Sequence, residues 1–105
     1  MASAVPHEPL LDEEVMLIPP YNVILWDSPD HSFEYVIVMM RELFNYTVEK
    51  AFEIAKIVDS TGKCIVWSGP LEHAEFHRDR IHAFGSDKNI PRCKGSMHAT
   101  IEKAL

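Results

Sequence analysis

The chain has 105 residues, enough for one domain with a modest core. It carries 16 Asp and Glu against 10 Lys and Arg, a formal charge of −6, which argues against generic nucleic-acid binding because phosphate neutralisation needs a basic surface. It has no apolar run of about 18 residues that could span a membrane, and residues 1–14, with Glu8, Asp12, Glu13 and Glu14, lack the basic start and apolar centre of a signal peptide, so a cytoplasmic protein with no membrane partner is expected.

Residues 1–18 have no clean period and read as a flexible N-terminal tail, with a domain over 19–105. Pro19-Pro20 stiffens the chain before Tyr21–Trp26, an alternating strand that ends at Asp27. The polar run Asp27-Ser28-Pro29-Asp30 predicts a turn, and Ser32 predicts the N-cap of a helix from Phe33. Phe33, Val36, Ile37, Met40 and Phe44, with Leu43 beside them, form its apolar stripe. Thr47 is placed to cap a second helix, with Glu49 in its first turn. Val48, Ala51, Ala55 and Val58 make one face of that helix, widened by Phe52 and Ile54, and Gly62 supplies a left-handed C-cap.

Lys63 to Ser68 predicts the second strand, and Gly69-Pro70 opens a third helix with Pro70 at its first position. Leu71, Ala74, Ile81 and Phe84, with the stem of Arg78, mark its inner face, and Gly85 ends it. Residues 86–96 read as a loop and Met97 to Lys103 as the last strand. The order is β-α-α-β-α-β, and the expected fold class is α+β: a two-layer sandwich with a three-stranded antiparallel sheet packed against three helices.

Catalytic signatures are missing: there is no phosphate-cradling G-x-x-x-x-G-K-S/T, no G-x-G-x-x-G and no G-x-S-x-G, so no enzyme is expected. Cys64 and Cys93 form no C-x-x-C pair. His73 and His77 have metal-ligand spacing on a helix, but Ala74 stands where a zinc-protease helix carries glutamate, and a solvated face is the preferred reading, with no metal or cofactor. Asp27 and Asp59 point further. A carboxylate at a helix C-terminus is unfavourable unless it meets a cation. If the two converge they can hold an ammonium or guanidinium group by charge-assisted hydrogen bonds; otherwise each sits alone in water or on its own turn.

Five stretches in order resemble the ClpS family, adaptors of the ATP-dependent Clp protease: PPYNVILW at 19–26, FEYV at 33–36, LFNYTVEKAFEIAKIV at 43–58, GKCIV at 62–66 and TIEKA at 100–104. The resemblance implies the same element order and an adaptor without covalent chemistry. Such an adaptor binds the first residue of substrate N-termini, usually a large apolar one, and docks on the N-terminal domain of a Clp-type ATPase.

By position, the resemblance also implies an amine site at Asp27, Ser28, His31 and Asp59. These stand where the family has Asn, Asp, Thr and His, and Pro29 replaces a second Asp. The implied hydrophobic pocket is Phe33, Val36, Ala55, Val58 and Met97, with Phe33 narrowing the cup and Ala55 deepening it. Glu72, retained, and His77, in place of a family Lys, fall on the implied docking helix. The alternative is a divergent interaction module of the same fold that does not read N-termini. An open cup with Asp27 and Asp59 at its mouth favours the adaptor; a cup filled by Phe33 and Met97 favours the module.

Overall fold

The computed structural model describes residues 19–104; the tail expected over 1–18 lies outside them. Strand β1 (Tyr21–Trp26) is followed by helices α1 (Phe33–Phe44) and α2 (Val48–Thr61), strand β2 (Lys63–Gly69), helix α3 (Leu71–His82) and strand β3 (Ala99–Lys103). The sheet order is β2-β1-β3 with both pairings antiparallel. The architecture is the expected α+β sandwich, and β1, which leads into the turn at Asp27, is its central strand.

The helix ends follow their capping chemistry. The Ser32 hydroxyl accepts from the Tyr35 amide at 3.1 Å and Thr47 Oγ1 from the Lys50 amide at 3.1 Å. Asn45 closes α1 in the left-handed region at φ 58° and Gly62 closes α2 at φ 94°. Pro70 is the residue before α3, with ψ 150°, and not its first helical position. The last strand is also shorter than expected, because Met97 and His98 precede it.

The core fills the space between sheet and helices with Val23, Leu25, Met39, Met40, Ala51, Val58 and Ile81. Along α1 the buried residues are Tyr35, Val36, Met39 and Met40, a stripe turned from the expected one. The turn is possible because the Tyr35 hydroxyl donates to the Gly85 carbonyl, which satisfies its polar end inside. Burial pushes the Tyr35 hydroxyl up to about 12. Val48, Phe52 and Leu71, expected on inner faces, are exposed.

One irregularity shapes β2. Val23 lies opposite Trp67 but Ile24 opposite Ile65, so Val66 is an extra residue on β2. Its carbonyl accepts from the Tyr46 hydroxyl at 2.7 Å, which covers part of an edge strand.

Candidate functional site

The Asp27 amide donates to the Gly62 carbonyl at 2.9 Å. That bond ties the end of β1 to the end of α2 and brings the turn over the last turn of α2, where Asp59 sits. Between them lies a cleft. Asp27, His31 and Ser32 line it from the turn, Phe33 and Val36 from α1, and Ala55, Val58 and Asp59 from α2. Val36, Ala55 and Val58 are buried in its floor, while Asp27 and Asp59 are exposed. Seven of the residues expected from sequence thus meet in one place, and Ser32 joins them.

The cavity is small. Its volume is about 20 Å³, room for about one water molecule. Phe33 lines it and stands edge-on to Phe52, with ring centroids 5.3 Å apart. Met97 is fully buried in the core and does not line the cleft.

The electrostatics favour a cation. Asp59 adds a charge to the negative end of the α2 dipole, and no basic residue occupies the last turn of that helix. Among the described residues neither Asp27 nor Asp59 takes part in an ion pair. Asp27 spends one oxygen on its own turn, accepting from the Ser28 amide at 2.8 Å.

Ser28 and His31 serve the rim itself. His31 Nε2 lies 2.7 Å from the Gly95 carbonyl, which can only accept, so this nitrogen carries the proton. His31 Nδ1 lies 2.8 Å from the Ser28 hydroxyl, whose oxygen also accepts from the Asp30 amide at 3.1 Å. The hydroxyl proton is left for Nδ1. Both ring nitrogens are therefore engaged, and His31 braces the turn. Ser28 does not line the cleft.

The loop after α3 completes this brace. Arg92 Nε donates to Asp30 at 2.6 Å and its Nη2 to the Pro29 carbonyl at 2.7 Å. Asp87, only 3% exposed, accepts from the Ser32 amide at 2.6 Å and the Asn89 amide at 2.9 Å. Burial would raise the Asp87 carboxyl, but these amide donors and the nearby His31 win and hold it below the ordinary value. Cys93 Sγ accepts from the Asp87 amide at 3.2 Å and sits 3.3 Å from His31 Nε2.

On α3, Glu72 is exposed in the first turn. His77 is half-buried, its ring 4.5 Å from Trp67 and 4.9 Å from Phe44. Its Nδ1 is buried without a partner, and burial, aided by Arg80 and His73, lowers its pKa. Among the described residues, His73 and His77 gain no third ligand for a metal.

A larger groove, of about 800 Å³, lies between α2 and β2, lined by Tyr46, Lys50, Ile54, Ile57, Ile65 and Trp67 among others. It has volume and apolar surface, but Glu49 and Glu53 lie along one α2 flank beside Lys50, and no pair of uncompensated carboxylates closes on a point.

The model of the family described as ATP-dependent Clp protease adaptor protein ClpS matches residues 18–92. The chain belongs to the ClpS family. Relatives include the ClpS adapter proteins of Nocardia farcinica, 35% identical over 63% of this chain and 62% of that protein, and of Rhodococcus jostii, 35% identical over 63% and 59%. The match thus spans about three-fifths of the length of these ClpS relatives. The ClpS2 structure from Agrobacterium tumefaciens, bound to L-phenylalaninamide, superposes with a TM-score of 0.71, covering 83% of this chain and all but 1% of that one (99%) at 17% identity. At that identity the likeness speaks for the fold.

Proposed function

We propose that this ClpS-family chain is a protease adaptor that binds the free N-terminus of substrate proteins and presents them to the N-terminal domain of a Clp-type ATPase. The observation that carries the reading is the pairing of Asp27 and Asp59 over a buried apolar floor, with neither in an ion pair among the described residues. An α-ammonium is charged at and below pH of about 8, donates three hydrogen bonds, and fits a pair of carboxylates at a helix C-terminus. Glu72, exposed on α3, supports docking through that helix. His77, turned into an aromatic cluster, contributes shape there and little charge.

The cavity volume of about 20 Å³ favours a second reading, an interaction module that takes no N-terminus at all. Titration of the protein with a short peptide, in free-amine and N-acetylated forms, separates the two. The adaptor reading expects binding that acetylation abolishes and that Asp59→Asn weakens about tenfold, the loss of one charge-assisted contact. Equal binding of both forms, or binding indifferent to Asp59, supports the module.

A further inference from the structure

Resting on the amine-binding reading, we infer that the cleft selects N-termini whose first side chain is small — Gly, Ala or Ser — and that Phe33 sets this choice. The amine end of a ligand has a place at Asp27 and Asp59, but the side chain it would bring with it has almost none. The space beneath the two carboxylates is about 20 Å³, enough for a water molecule or a group of methyl size. A Leu or Phe side chain needs several times that.

The cause is local. Ala55 and Val58 are short and fully packed, so they leave a depression under the mouth. Phe33, at the first position of α1, lines the same depression. Its ring is held by the edge contact with Phe52 across the helix pair, at 5.3 Å between centroids. Its backbone is fixed as well. Ser32 beside it caps α1 and donates its amide to the buried Asp87. A bulky first residue could enter only by displacing this ring, whereas a small one leaves the ring in place and lets the ammonium approach both carboxylates. Apolar space at this site therefore acts by exclusion, a repulsive element of specificity.

The test is a matrix of peptides identical except for a first residue of Gly, Ala, Ser, Leu or Phe, with N-acetyl-Ala as control. Each is titrated against the wild type, Phe33→Ala and Phe33→Met. The wild type is expected to bind the small-first peptides about tenfold or more tighter than the Leu and Phe peptides, as pockets that discriminate by fit do. Both variants should gain the bulky-first peptides. Should Phe33→Ala fail to fold by circular dichroism, Phe33→Met carries the comparison. Wild-type binding of Leu or Phe peptides as tight as Ala would overturn the size selection while leaving amine recognition intact. Folded variants that gain nothing would overturn the role of Phe33. Binding of N-acetyl-Ala as tight as free Ala, or no binding of any peptide by the wild type, would overturn the amine reading and this inference with it.

Discussion

Two concavities flank α2, and they differ in what they offer a ligand. The groove against β2 has about 800 Å³ and an apolar lining, but its lining charges lie along a solvated helix flank. The cleft at the C-terminal end of α2 has about 20 Å³, yet it holds two carboxylates that take part in no ion pair among the described residues. Volume alone would direct attention to the groove. Unbalanced charge at a helix C-terminus directs it to the cleft. The groove also borders an edge strand whose bulged Val66 carbonyl is capped by Tyr46, a device that discourages strand addition. The cleft has the opposite character: its rim is held from several sides, as a site that must keep its geometry requires.

The comparison can be broken first at the rim. Asp87→Ala leaves the amides of Ser32 and Asn89 without their charged acceptor and should cost about 2–3 kcal/mol of stability, read as a lower midpoint in urea unfolding. Loss of peptide binding should accompany it, whereas a variant in the groove should do neither. Asp27→Asn comes next. It keeps an acceptor but removes a charge, so free-amine peptide binding should weaken by about threefold to tenfold with thermal stability unchanged.

The pH dependence separates the rim from the α3 cluster. Asp87 has a folded pKa below its ordinary value, so the stability it contributes is present above about pH 4 and is lost as pH falls through the folded value. His77 is also lowered. The folded state there resists protonation, so stability declines as pH falls below the ordinary histidine value of about 6.5. His77→Phe should remove the unpartnered Nδ1 and flatten the fall in stability as pH drops below about 6.5, while peptide binding at pH 7 stays unchanged. The smallest effect is expected in the groove. Ile65→Thr, at a residue 54% exposed, should change stability by no more than about 0.5 kcal/mol and leave N-terminus binding intact.

Most of the frame was legible in local chemistry. Ser32, Thr47 and Gly62 are cap residues whose signals depend only on neighbours in the chain, and each cap forms as expected. The α1 stripe was less legible, because a phenol is buried only if something distant accepts its proton; Gly85, fifty residues away, does so for Tyr35. The same distinction holds at the site. Asp27 and Asp59 could be suspected from strand-end and helix-end positions, and the bond from Asp27 to Gly62 is what converts that suspicion into proximity. The particular partners of Asp87 and Arg92 could not be read in advance. Both act by reaching across the molecule to the turn at 29–32, and neither spacing nor composition records such a reach. Ser28 shows the limit of positional matching: it occupies an expected place in sequence while its hydroxyl is spent within the turn.

Mapping of amide chemical shifts during titration with an Ala-first, free-amine peptide tests the central claim most directly. Recognition of the N-terminus at the cleft predicts saturable shifts at Asp27, Ser32, Phe33, Ala55 and Asp59, absent with the acetylated peptide. Shifts confined to Lys50, Ile57, Ile65 and Trp67 would move the site to the groove and contradict the account.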